Sequence, residues 1–395
     1  MSNFTGPEGI LKDLYINDFD ILDRYVGNQL WVWGLNNYGQ LGTNNTTPGT
    51  GISSPVQTVS GGTNWKQVAG GNRHTAAIKT DGTLWLWGFN TSGELGDNTT
   101  TSRSSPVQTV SAGTNWKQVS SGSFHTAAIK TDGTLWLWGL NSNGELGTNN
   151  TTNRSSPVQT VSAGTNWKQV SMGSFHTAAI KTDGTLWVWG RNNYGQLGDN
   201  TVTNRSSPVQ TISAGTNWKQ VSVGYRHTAA IKTDGTLWVW GRNAYGQLGD
   251  NTITHKSSPV QTVSGGTNWK QVSCGGNSSG GNHTAAIKTD GTLWLWGFNG
   301  QGQLGDSTTT SRSSPVQTTS GGTNWKQVAG GNLHTAAIKT DGTLWLWGDN
   351  NSGELGDNTS NNRRSAPIQT VAGGTNWKQV SFGTAFTVAV TFTES

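Results

Sequence analysis

The fifteen residues HTAAIKTDGTLWLWG begin at His74 and recur unchanged from His125, His283 and His334. Two further copies, from His176 and His227, carry Val in place of the Leu between the tryptophans. A chain that repeats one small unit must stack the copies or close them into a ring, because one unit alone cannot bury its apolar surface. The tryptophan of NWKQV sets the interval. It falls at Trp65, Trp116, Trp167, Trp218, Trp269, Trp325 and Trp377, in four steps of 51 residues followed by 56 and 52. LWxWG also occurs seven times, so three tryptophans per unit account for all 21 in the chain. None is left over for a special task.

Residues 113–161 serve as the type unit. WKQVSSG reads as a first strand and HTAAIKT as a second, with Asp132-Gly133 supplying the positive φ angles of a tight hairpin turn. TLWLWG follows as a third strand, with Leu135 and Leu137 on one side and Trp136 and Trp138 on the other. A Gly/Asn/Thr-rich loop leads to SSPVQTV, a fourth strand opened by Pro157, and SAGTN turns the chain into the next unit. Four antiparallel strands in about 50 residues, seven times over, predict an all-β chain folded as a β-propeller. A linear solenoid would need polar caps at its ends. Instead the repeats start mid-unit at GNQLWVWG and finish with the missing half, NWKQVSFGTAFTVAVTF. The expectation is a closed seven-bladed propeller over 28–395, the N- and C-terminal half-blades joining, preceded by a non-repetitive extension at 1–27.

Composition narrows the function. The single cysteine, Cys274, excludes an internal disulfide framework and a cysteine-based zinc site. No stretch approaches the roughly 18 apolar residues of a membrane span. The N-terminus has neither a basic n-region nor an apolar h-region, so no signal peptide is read there, and the expected location is a virion or the cytoplasm. The net charge is +5, divided as −3 on residues 1–27 and +8 on the repeats, too mild over so large a surface to point to nucleic acid.

VSSGSFHTAAIKTDGTLWLWGLNSNGELG resembles the repeat of the regulator of chromosome condensation family: Gly, His, a strand, DG, then WGxNxxGxLG. The resemblance runs from residue 28 almost to the end and implies the seven-bladed propeller. It also implies a range of functions, since relatives include nucleotide-exchange factors for a small GTPase, chromatin binders, ubiquitin-ligase modules and bacterial and phage proteins. This chain departs from the exchange factors in its near-identical blades and in lacking a long specialised wedge segment.

Residues repeated in every blade are needed by every blade. His74, His125, His176, His227, His283 and His334 are therefore read as hydrogen-bonding within their own blades rather than as a metal ring. The paired tryptophans are assigned to inter-blade packing, and Lys117, Lys130 and Asp132 to solvated positions. Glu94 and Asp97 stand as single loop carboxylates. With no asymmetric acid/base pair and no Ser/His/Asp set, the chain is expected to be no enzyme and to use neither cofactor nor metal.

Function is sought where the blades disagree. The TDGT turns and the turns into each first strand are nearly invariant and belong to one face. The first-to-second and third-to-fourth strand loops vary and belong to the other, where a binding surface is expected. Its candidate partner-binding residues are Arg73, Phe89, Phe124, Phe175, Arg191, Tyr225, Arg226, Arg242 and Phe298. In the extension, Ile10, Leu14, Tyr15, Phe19, Ile21, Leu22 and Tyr25 mark an assembly segment through which the disc would attach or oligomerise. The expected function is a non-enzymatic interaction or structural module with a protein partner, such as a tail or head-surface component of a phage virion. The alternatives are a cytosolic regulator such as a GTPase exchange factor, or a DNA-binding disc using a ring of arginines.

Overall fold

In the computed structural model, which describes residues 27–111, 113–213, 215–276 and 281–393, the chain forms seven four-stranded antiparallel sheets. Six are simple meanders: blade 1 at 65–108, blade 2 at 116–159, blade 3 at 167–210, blade 4 at 218–261, blade 5 at 269–317 and blade 6 at 325–369. Blade 7 takes Trp377–Phe382 and Phe386–Thr393 as its first two strands and Gly27–Asn36 and Thr47–Gln57 as its last two. Eight residue pairs, from Gly27 opposite Thr393 to Gly34 opposite Phe386, join the two ends of the chain. The ring thus closes through joined half-blades and hides two edges that would otherwise template aggregation. Strand pairing already includes Gly27; the assembly residues Ile10 to Tyr25 lie outside the described residues.

The core is seven cores, one in each gap between blades. Between blades 3 and 4, Ile180, Leu186, Val188 and Leu197 meet Trp218, Val221, Ala230 and Trp240. Trp218 and Trp240 stand edge to face, centroids 6.2 Å apart at 60°. Each such indole contributes on the order of 3 kcal/mol by burial. The third-to-fourth strand loop is part of this wedge. Gly198 (φ 65°) lies so close to Trp240 that a Cβ would sit 2.8 Å from the indole nitrogen.

Polar stitches cross the same gaps. Gln220 Nε2 donates to Val272 O at 3.2 Å, and its Oε1 accepts from Val272 N at 3.0 Å, so the amide adds one peptide-like unit to the next blade's inner strand. The same exchange links Gln67, Gln118, Gln169 and Gln271 to the blade that follows each, and Gln379 back to Val68.

The histidines also work between blades, which corrects their assignment to their own blade. His176 Nε2 lies 2.9 Å from the Thr228 hydroxyl, and Thr228 donates at 2.8 Å to Gln196 O, which also accepts from Trp240 Nε1 at 2.9 Å. Since the threonine spends its proton on the carbonyl, His176 must be the Nε2–H tautomer with a bare Nδ1. Buried and apolar-walled, its pKa falls to about 3.

Two further expectations need correction. The Asp-Gly hairpin is a three-residue turn: Gly133 N donates to Lys130 O, Lys130 N to Thr134 O, and of the pair Gly133 alone has positive φ (81°). Asp132 is held by Thr134, whose hydroxyl in turn accepts from Trp136 Nε1. Lys130 is not simply solvated, because its Nζ lies 4.9 Å from the Trp116 ring and 4.7 Å from that of Trp136, a cation–π clamp repeated in blades 1 to 6.

Candidate functional site: an aromatic and cationic arc on the variable face

Topology puts the Asp-Gly hairpins and the connections between blades on one face, where Thr131 N donates to Asn115 O and Trp116 N to Gly82 O. The variable loops share the other face and are tied to each other. The amide after each WG donates to the carbonyl of the residue before the histidine position: Phe89 to Arg73, Leu140 to Phe124, Arg191 to Phe175, Arg242 to Arg226, Phe298 to Asn282. Every blade therefore offers two adjacent variable side chains on a fixed mount.

In blades 2 to 5 these side chains join into one arc. Phe124 and Phe175 lie 6.1 Å apart, and Phe175 meets Tyr225 edge-on at 5.8 Å. Arg226 stacks 4.9 Å from the Tyr225 ring and 5.1 Å from that of Tyr194, and donates to Tyr194 Oη at 3.1 Å. Arg242 reaches the Tyr194 and Tyr245 rings at 5.7 and 5.8 Å, and Tyr245 meets Phe298 at 4.9 Å. Arg191 rests 5.4 Å from Phe175. All are half-buried, so their rings are fixed yet reachable. Arg73 and Phe89 form a separate cluster on Tyr38, with Arg73 Nη1 donating to Tyr38 Oη at 3.0 Å. The candidates thus fall into two groups rather than a single patch.

Sequence reasoning missed Tyr38, Tyr194 and Tyr245, the rings that join the named residues, and His255, which meets Tyr194 edge-on at 5.2 Å. A signal was present: NNYGQLG and NAYGQLG differ from NTSGELG at this position. The tyrosine is mounted by the glutamine two residues on, as Gln196 Oε1 accepts from Tyr194 N at 2.9 Å.

The arginines that end these loops are held by carboxylates, whereas those of the arc lie against aromatic rings. Asp97, Asp199, Asp306 and Asp357 pair with Arg103, Arg205, Arg312 and Arg364 at 2.9 to 3.2 Å, and Asp250 with Lys256 at 3.8 Å. Burial works against ionisation of Asp199, but Thr201, Arg205 and Asn192 outweigh it and hold the carboxyl below its usual range. Arg154 lacks such an aspartate, having Thr148 in its place. A free arginine ring for DNA is therefore not what the loops build.

The loop glutamates differ again. Glu94 and Glu354 are buried, and burial pushes both up to about 7. Glu145 is raised by burial in the same way, with Arg191 pulling against the shift. Among the described residues no three His, Cys, Asp or Glu side chains gather as metal ligands, and no helix is long and apolar enough to cross a membrane.

A closed ring of seven near-identical blades with its variation gathered on one face is a propeller scaffold for recognition. Residues 22–279 match the RCC1-like domain, and 290–338 and 341–390 match the regulator of chromosome condensation (RCC1) repeat; the chain belongs to this family. It is 32% identical over 359 residues to the ultraviolet-B receptor UVR8 of Arabidopsis thaliana, covering 87% of this chain and 78% of the receptor. It is 29% identical to the human E3 ubiquitin-protein ligase HERC2 over 91% of this chain but 8% of the ligase, so it matches a small part of that protein. The fold is shared with Prp20p of Saccharomyces cerevisiae (TM-score 0.82, 18% identity, 95% of each chain) and human WBSCR16 (TM-score 0.79, 22% identity, 93% of this chain and 99% of that one).

Proposed function

We propose that the protein is a non-catalytic interaction module whose protein partner docks on the arc from Phe124 to Phe298. The observation that carries this reading is the arc itself: aromatic rings interleaved with Arg191, Arg226 and Arg242, on rigid mounts, in a molecule whose other surfaces repeat. Aromatics and arginine are the side chains that dominate binding energy at interfaces. The named relatives fit, being a receptor, part of a ligase, and a propeller whose reported binding is to Gsp1p and histones. The narrower role as a virion component is supported by the near-identical blades and low-charge surface, with residues 1–27 as the attachment. Exchange activity toward a GTPase is the second reading and would use the same arginines.

The test compares the immobilised chain with the double variant Tyr194→Ala/Arg226→Ala and with Lys79→Ala on the opposite face, using extract of the cell that makes the protein. A partner kept by the chain and by Lys79→Ala but lost from the double variant supports the arc; partners indifferent to the double variant sink it. Solution mass of the full chain against one starting at Gly27 tests the attachment role: an oligomer that becomes a monomer on truncation supports it, and an unchanged mass opposes it.

A further inference from the structure

The invariant face carries a charge pattern that the arc does not use. Thirteen lysines and six aspartates lie on it, in two concentric sets. The outer set balances: Lys79, Lys130, Lys181, Lys232, Lys288 and Lys339 are matched in number by the hairpin aspartates, and each is clamped between two tryptophans at 4.3 to 5.0 Å. The inner set does not balance. Lys66, Lys117, Lys168, Lys219, Lys270, Lys326 and Lys378 follow the first tryptophan of each blade, and among the described residues none has a carboxylate within ion-pair distance.

The innermost strands set these lysines around a hole. Each lies in a β-bulge, where the pairing register shifts between the tryptophan and the glutamine on either side of it. A bulge re-aims a side chain out of the strand's alternation. Six of the seven are exposed, and Lys378, half-buried, lies 4.9 Å from the Phe392 ring. Three of the glutamines next to them, Gln67, Gln118 and Gln379, line a central channel of about 290 Å3, whose wall holds Ser, Gly and Asn together with Val119, Met172 and Phe382 and no charged residue. Burial, and then the charge of Lys66 in the neighbouring blade, depress Lys378, as expected of like charges held around one axis.

We propose that these seven lysines form a receptor for one compact anion bearing several phosphate groups, seated over the invariant-face mouth of the channel. Ring geometry favours such a ligand over an extended polyanion. The uncompensated charge is confined to the inner ring, while the outer surface, which a duplex would also have to cross, is neutral in sum. Lysine is a flexible point charge suited to phosphates arranged around a centre, whereas planar bidentate recognition would call for arginine, which this chain places on the other face.

Calorimetric titration of the full chain with inositol hexakisphosphate, at near-physiological salt, tests this. One site per chain is expected, with affinity falling as salt rises. Lys117→Gln/Lys219→Gln/Lys326→Gln should weaken binding by roughly tenfold or more, each lost contact being charge-assisted. Lys130→Gln/Lys232→Gln/Lys339→Gln, of equal net charge, should change it by less than about twofold, because those cations are spent on tryptophan. Absence of saturable binding overturns the proposal. Equal losses in both triple variants overturn it as well, since they would report diffuse charge. Duplex DNA displacing the probe at matched phosphate concentration would do the same in favour of an extended ligand.

Discussion

One amide in each of six blades helps to make a ring out of repeats. Gln220 offers the next blade a donor and an acceptor in the spacing of a peptide group, and both are taken by Val272. Gln220→Leu removes both and leaves a buried N–H and C=O unpaired, so urea unfolding should show a loss of about 2–3 kcal/mol. Gln327 supplies the internal control, because its Oε1 is already buried without a partner, and Gln327→Leu should cost clearly less. Glu94 makes a second case at this scale. Its Oε2 accepts from Ser92 N at 2.8 Å, but Oε1 has no partner and no cation is near. Burial lifts its pKa from 4.5 to about 7, so folding favours its protonated form. That contribution is full below pH 4.5 and is lost as pH rises through 7. Blades 3 and 4 carry glutamine, Gln196 and Gln247, at this position. Glu94→Gln should therefore be neutral near pH 5 and stabilising by on the order of 2 kcal/mol at pH 8, read from thermal unfolding at both.

At the scale of the element, the third-to-fourth strand loop decides what the variable face can present. Asn192 organises it: Oδ1 accepts from Leu197 N at 2.9 Å, and Nδ2 donates to Asp199 and to Thr201. Asn192→Ala should cost roughly 2–3 kcal/mol and speed amide exchange at Leu197 and Thr201, leaving the strands of blade 3 protected; slowed or unchanged exchange there would refute this. Strand order, blade number and ring closure were legible because each rests on local periodicity that seven copies restate. The partners of the repeated polar residues were not. His176 finds its threonine 52 residues along the chain, and nothing in one unit says whether a buried imidazole bonds at home or across a gap. The arc was half legible for a related reason. Variation marked Phe175, Arg226 and Arg242, but Tyr194 joins them through a loop that packs beside the next blade, a neighbourhood fixed by the closed ring and not by spacing.

For the whole molecule, repetition multiplies small terms, and acid is where the product should be visible. Six histidines are buried and neutral. Burial lowers His74 and His283 to about 4 and His125, His176, His227 and His334 to about 3, whereas in the unfolded chain they titrate near 6.5. Below pH 6.5 the unfolded chain therefore binds the protons that the folded chain refuses. Their contribution to stability is complete above that value and drains away as pH falls toward 4 and 3. Glu94, Glu145 and Glu354 act in the opposite sense, since the folded chain holds their protons at pH values where the unfolded chain has lost them. The histidines win on number. Near pH 5.5 unfolding takes up about three net protons, each worth about 1.36 kcal/mol per pH unit. Thermal midpoints should thus fall steeply from pH 6 to pH 4, with all blades lost together because five of the six histidines bond across a gap and His334 packs against Phe382 of the next blade. Blade 7 shows how to remove one term, as Phe386 occupies the histidine position and is fully buried. His176→Phe should flatten the dependence of stability on pH by about one proton, or about 1.36 kcal/mol per unit. An unchanged slope would mean that acid enters through another group.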